Sequence, residues 1–238
     1  MLDLPSIMQR SLLVALLTPG WGLASECFPT PDSKKPQYLV AYGSLLYEES
    51  RLRKVQQAKL ELPVWVEGYK RGWLLRTKPD SLKLTRLGVT PSAGDKFNGV
   101  LLSMEVGKLT SLDRQAKLEC RTQINKDSLK AMNDKALPDG DFWIYQAQKK
   151  YISPPAGEYP IMQTNVDVFL TGCMEQAERF KIKDFADICL STTKNWSMHW
   201  ANDRRSPIDQ KIVQTKNKQV DRLLEKLEGD LFENVRAN

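Results

Sequence analysis

The chain has 238 residues, 41% of them hydrophobic and 27% charged, a usage that points away from a disordered polymer and from a helical membrane bundle. Its 35 Lys plus Arg against 29 Asp plus Glu leave a formal charge of +6. The excess is interleaved with acids and forms no basic stripe with spaced aromatics, so nucleic acid is not an expected partner.

Residues 1–24 contain "RSLLVALLTPGWGLA", a short apolar run behind Arg10 and ahead of Pro19, Gly20, Gly22 and Ala24. That layout is expected of a secretory signal peptide. Asp3 departs from the usual basic start, and Met8 would give a cleaner one. The run is shorter than the ~20 residues a bilayer span needs, so no stable membrane span is expected. A periplasmic or secreted location follows, with an amphipathic N-terminal helix on a cytoplasmic protein as the alternative. The Pro-rich "CFPTPDSKKP" makes residues 25–36 a lead into the body. Glu26 spoils "ASEC" as a lipidation site. Cys27, Cys120, Cys173 and Cys189 are dispersed, with no CxxC pair and only His199 beside them, so no metal site is expected. Cys173 and Cys189 sit in apolar helical patterns and read as buried thiols, although export would permit a disulfide.

The body opens with short strand-like runs: "QYLVAY", "VWVEGYKRGWLLRT", "LKLTRLGVT" and "FNGVLLSMEV", separated by the turn signals "KPDS" and "TPSAGDK". "LECRTQI" and "DFWIYQAQ" continue the pattern. Helical spacing then takes over in "TNVDVFLTGCMEQAERF" and "KDFADICLSTTKNWSMHW", with Thr164 and Asp184 as helix starts. In "DQKIVQTKNKQVDRLLEKLEGDLFENV", Val213, Val220, Leu224, Leu227 and Leu231 share one side. The pattern predicts an α+β fold: a strand-rich domain over residues 37–206 with helices packed on it, and an amphipathic helix over 207–238. The apolar side of that last helix could pack on the body or on a second copy, which leaves self-association open.

The turn "YGSLL" lies between a strand and a helix. Gly43 can take backbone angles closed to other residues there, and the amides that follow are donors for an anion such as a carboxylate. A plain turn with Ser44 as helix cap is the alternative.

Several spaced segments together resemble the γ-glutamylcyclotransferase family. They are "AYGSLL", then "GDKFNGVLLSMEVGKLTSLDRQ" with its GDxxxGV and LxxLD patterns, and finally "YISPPAGEYP", covering about residues 38–162 in the family's order. "TTKNW" and "HWANDRRSP" are similar to an extension found in a bacterial branch. The resemblance implies a small mixed β-barrel flanked by helices, with additional C-terminal helices. It implies release of 5-oxoproline from a small γ-glutamyl substrate, without metal or cofactor. Tyr42, Gly43, Ser44 and Leu45 would hold the substrate, joined by Tyr145 and Tyr159.

That chemistry needs donors on the α-carboxylate and carbonyl, an amine at attack distance, and a carboxylate that takes the ammonium proton and passes it to the leaving amine. The family's carboxylate is the Glu of Leu-Asp-x-x-Glu. Here "LDRQAKL" puts Ala116 in its place. Glu119 would have to substitute from three residues on; otherwise the chain is a catalytically impaired member that binds a small anionic ligand or a protein partner. Elsewhere, Asp113 is expected to anchor the turn after its helix, His199 to pack within "WSMHW", and Asp203 and Arg204 to pair with each other. Asn195 in "NWS" matches a glycosylation acceptor.

Overall fold

The computed structural model describes residues 27–207 and 216–227. The expected signal peptide, and Val213 and Leu231 of the expected C-terminal helix, lie outside the described residues. The body is organised by β1 (Gln37–Ala41), β2 (Lys59–Arg76) and β3 (Thr85–Met104). β2 and β3 form one antiparallel ladder from Lys59↔Ser103 to Arg76↔Thr85. The three runs after "QYLVAY" are therefore two long strands. The expected turn "TPSAGDK" is instead an irregularity inside β3: Glu67 pairs with Lys96 and Tyr69 with Pro91, so residues 92–95 stand opposite Gly68. Gly68 at φ 81° and Gly94 at φ 84° absorb that bend in a region other residues seldom enter.

β1 lies between β3, to which it is antiparallel, and β6 (Asp141–Ala147), to which it is parallel. β4 (Glu119–Gln123) pairs with the other edge of β6, and β5 (Leu129–Ala131) with β2. The order β4-β6-β1-β3-β2-β5 makes a mixed sheet with β4 and β5 at its two ends. Three two-residue strands attach to it: β7 (Ile161–Met162), β8 (Thr193–Lys194) and β9 (Trp200–Ala201).

The helices are α1 (Glu48–Lys54), α2 (Val106–Gln115), α3 (Gln163–Phe180), α4 (Phe185–Thr192) and α5 (Asn217–Leu224). α4 starts after Asp184 as expected, but the predicted continuation to Trp200 does not form. Its place is taken by β8 and β9, separated by Asn195 at φ 61°. α3 begins one residue before Thr164, whose amide and hydroxyl both donate to Asp203 at 2.8 and 2.5 Å. α5 buries Val220, Leu223 and Leu224 and packs on α3 and α4, so the described part of the C-terminal segment belongs to the body.

One core joins sheet and helices through Leu39, Trp73, Phe97, Leu101, Phe169 and Phe185, all at most 1% exposed. Each such side chain contributes about 1.5–3 kcal/mol on removal from water. Cys173 and Cys189 are fully buried there, but they form a disulfide and are not the free thiols expected from the pattern. The reason is that α3 and α4 turn their cysteine-bearing faces toward each other. Cys27 and Cys120 form the second bridge. Among the described residues no helix is long and apolar enough to cross a membrane.

Candidate active site

β1 delivers the chain into Tyr42 and Gly43, and residues Ser44–Leu46 wind into a single 3-10 turn before α1. Gly43 has φ −135°, and a Cβ there would meet only Leu87 at an ordinary 3.6 Å. The close approach is made by Gly172 of α3, where a Cβ would stand 2.5 Å from the Tyr47 amide nitrogen. The carbonyls of the turn are tied back: Arg51 donates to Leu45 and Leu46 at 3.3 and 3.2 Å, and Gln176 donates to Leu46 at 2.6 Å. The leading amides of such a turn have no carbonyl of the turn to bond.

Beneath the turn lies Arg71, fully buried. Its guanidinium donates to the Asn98 carbonyl and side-chain oxygens, the Cys189 carbonyl, the Thr192 and Thr193 hydroxyls and, at 3.4 Å, the Tyr42 carbonyl. It also stacks over Phe97 and Phe169. No carboxylate is among these partners, and burial lowers its pKa to about 9, which still leaves a cation at neutral pH.

Tyr42, Gly43, Ser44 and Leu45 line a cavity of about 270 Å³ with Tyr145, Ala116 and Glu119. Apolar wall comes from Trp73, Leu87, Leu112, Val168 and Phe169. α2 ends at Gln115 and Ala116 caps it, so the chain needs only two more residues to reach Glu119 at the start of β4. That short junction brings the half-buried Glu119 to the wall. The Tyr42 hydroxyl shares its one proton between Glu119 Oε1 and the Tyr145 carbonyl, both at 2.9 Å. Burial first, and the facing Glu119 carboxylate second, hold the Tyr42 phenol well above its ordinary pKa. It is a neutral donor across the physiological range.

Tyr145 turns its own hydroxyl to Asp113 Oδ1 at 2.7 Å, and burial followed by that carboxylate raises its pKa in turn. Asp113 is gripped by Arg121 through both oxygens, Nε to Oδ1 at 3.0 Å and Nη2 to Oδ2 at 2.9 Å. The Arg121 guanidinium also lies 4.3 Å above the Trp143 ring. Asp113 is thus more than a turn anchor, because it links α2 to β4 and β6. Two cations reach the cavity as well. Lys54 donates to the Ser44 hydroxyl at 2.9 Å, and exposed Arg86 of β3 is near enough to oppose the rise in the Tyr42 pKa.

The solved structures similar to this fold include two that match it over most of its length. One is described as a gamma-glutamyl cyclotransferase and the other as an uncharacterized protein from Homo sapiens. Each has a TM-score of 0.51 and 14% identity over 81% of this chain and 99% of its own. The chain has the γ-glutamyl cyclotransferase fold. No family model matches it, and no curated protein matches it.

In this γ-glutamyl cyclotransferase fold, Tyr159 alone of the expected site residues stays off the cavity wall; its ring packs under Arg76 at 4.9 Å and Lys83 at 5.8 Å. His199 is exposed rather than packed, since Trp196 and Trp200 stack on each other at 5.7 Å without it. Asp203 and Arg204 do not pair. Asp203 accepts from Thr164, while Arg204 bridges Asp167 and Asp221 at 2.7 and 2.6 Å. Sequence reasoning missed Arg86, Lys54, Arg71 and Arg121. Arg86 lies in an alternating strand run that carried no motif, and nothing in a single sequence tells a buried arginine from the many exposed ones. Among the described residues no group of three or more His, Cys, Asp or Glu could hold a metal ion.

Proposed function

We propose that this protein cyclises a small γ-glutamyl compound and releases 5-oxoproline, with Glu119 as the acid/base. The observation that carries the proposal is the Tyr42 hydroxyl 2.9 Å from Glu119 Oε1, in a cavity whose wall includes the Tyr-Gly-Ser-Leu turn. The substrate α-carboxylate would lie against the turn amides with Lys54 or Arg86 opposite its charge. Glu119 takes a proton from the α-ammonium. The freed amine attacks the γ-carbonyl carbon, closing the five-membered ring; the bond to the leaving nitrogen breaks as Glu119 returns the first proton to it, and the second proton of the ring nitrogen passes by the same carboxylate, so that a lactam N–H remains and the amine departs as its ammonium. Atoms balance without water or cofactor. Tyr42 keeps Glu119 aimed and cannot compete as an acid, because its own proton is held too tightly.

Ala116 supports a second reading. Its methyl lines the same cavity at the position where the family carries its carboxylate, and it can move no proton. If Glu119 does not replace that group, the pocket is a binding site for a small anion. Export of the chain is likewise a proposal; the two disulfides among the described residues suit an oxidising compartment. A 5-oxoproline assay over a panel of γ-glutamyl amino acids and amines, comparing the natural protein with Glu119→Gln and Ala116→Glu, separates the readings. Turnover lost in Glu119→Gln supports the enzyme. Turnover that appears only in Ala116→Glu supports the binding protein.

A further inference from the structure

The two disulfides differ in exposure and in what stands beside them. Cys173 and Cys189 are wholly buried between α3 and α4. Cys27 is exposed, and its bond to half-buried Cys120 fastens the lead to β4 at the residue next to Glu119. β4 is an end strand of the sheet, and among the described residues no other strand pairs with its outer edge. The lead occupies that edge. The Phe28 amide donates to the Arg121 carbonyl at 3.1 Å, and Arg121 Nη2 donates to the Pro29 carbonyl at 2.9 Å.

Arg121 is 1% exposed, and this same guanidinium grips Asp113. Asp113 accepts from Tyr145, the Tyr145 carbonyl accepts from Tyr42, and Tyr42 donates to Glu119. An unbroken series of contacts therefore runs from the lead that carries exposed Cys27 to the carboxylate in the cavity. An edge strand without its outer cover opens more readily than one held on both sides.

We propose that Cys27–Cys120 is a redox-sensitive buttress of the pocket, and that its reduction by a dithiol releases the lead and misplaces the Tyr42–Glu119 pair. This rests on the reading of Glu119 as the acid/base. The dithiol supplies two electrons and two protons; the Cys27–Cys120 bond breaks, two thiols form, and the dithiol leaves as its own disulfide. Thiolate attack needs access to sulfur, so Cys173–Cys189 stays closed in the folded protein.

The test treats the folded, oxidised protein with dithiothreitol, maps free thiols by alkylation and mass spectrometry, and follows two readouts. One is 5-oxoproline release. The other is the NMR signals of ring-labelled Tyr42 and Tyr145, which do not depend on turnover. The expected result is labelling of Cys27 and Cys120 alone, shifted signals for both tyrosines, and a fall in kcat of about tenfold, the scale of losing an outer contact to a reacting group. Reoxidation should restore all three. The double variant Cys27→Ser with Cys120→Ser should show the reduced values throughout and ignore the dithiol. Arg121→Lys should move the tyrosine signals without any change at sulfur, and a cooperative thermal transition keeps either variant interpretable. Unmoved tyrosine signals and turnover in protein whose Cys27 and Cys120 are labelled would overturn the proposal. So would labelling of Cys173 and Cys189 as early as the exposed pair. If the oxidised protein releases no 5-oxoproline, the reading of Glu119 fails, and the tyrosine signals decide the buttress by themselves.

Discussion

Replacing Tyr42 with Phe removes one oxygen and keeps the ring, including its edge contact with Phe97 at 6.0 Å. What disappears is the donor shared between Glu119 and the Tyr145 carbonyl. A hydrogen bond to a charged acceptor contributes about 1.5–3 kcal/mol. If that energy holds Glu119 in its reactive position, the loss corresponds to a roughly 10- to 150-fold fall in kcat at ~1.36 kcal/mol per decade. KM should change little, because Tyr42 aims the carboxylate rather than grasping the whole substrate. The informative comparison is Glu119→Gln, whose amide oxygen can still accept from Tyr42 but whose side chain cannot carry the proton; it should lose about 100- to 10,000-fold. Steady-state 5-oxoproline release and thermal unfolding, measured on both variants, should therefore rank them oppositely. Glu119→Gln loses more activity, while Tyr42→Phe loses more stability. A Tyr42→Phe protein with the natural kcat would refute the aiming role, and an active Glu119→Gln protein would refute the mechanism.

Gly172→Ala should lower the thermal midpoint and raise KM, since the new Cβ collides with backbone at Leu46 and Tyr47 and pushes the turn; overpacking costs about 1–3 kcal/mol. The same change at Gly107 in α2, where nothing lies within 4 Å, should be neutral or stabilise by up to about 1 kcal/mol. Arg204→Met leaves fully buried Asp167 without its cation and should cost about 3–5 kcal/mol in denaturant unfolding at neutral pH. Burial already raises the Asp167 pKa above its unfolded value, opposed mainly by Arg204. In the variant the folded state binds a proton that the unfolded state releases, so the deficit should shrink as pH falls from about 7 toward 5; a deficit that grows would contradict this. Removing Cys27–Cys120, which closes a separation of 93 residues, should cost about 4.6 kcal/mol, against about 3 kcal/mol of chain entropy for the 16-residue Cys173–Cys189 bridge. Urea unfolding of the two double variants checks that order.

The α+β class and the first strand with its turn were legible because apolar period and Gly-Ser punctuation act locally. Ala116 drew notice only through the resemblance, since "LDRQAKL" is a short contiguous stretch that can be set beside Leu-Asp-x-x-Glu. The long β2–β3 ladder was not legible, because its irregularity at residues 91–96 uses the same Pro, Ser, Gly and Asp that mark a true turn. Only tertiary pairing with β2 carries the strand through. Arg71, Arg121 and Arg204 look like any surface arginine in sequence, and each is defined by acceptors from distant segments. Cysteine pairing was not legible for a related reason: helical pattern places Cys173 and Cys189 on apolar faces without saying that those faces meet. Tyr159 was expected at the cavity from its place in the "SPPAGEYP" loop, yet the loop returns along the hairpin end of β2 and β3, where Arg76 and Lys83 cover the ring.

The position of β1 between β3 and β6 also governs how the pocket comes into being. Tyr42 meets the Tyr145 carbonyl across 103 residues of chain and Glu119 across 77, and the parallel ladder with β6 cannot be built from a hairpin. Large loops must close before Tyr42 reaches Tyr145 or Glu119, and non-local pairing of this kind is slow. The β2–β3 hairpin can form first from local contacts, which makes the pocket a late product of folding. Substitutions at Tyr42 should accordingly speed unfolding and leave the refolding rate nearly unchanged, with φ-values near zero, while changes within the β2–β3 ladder slow refolding.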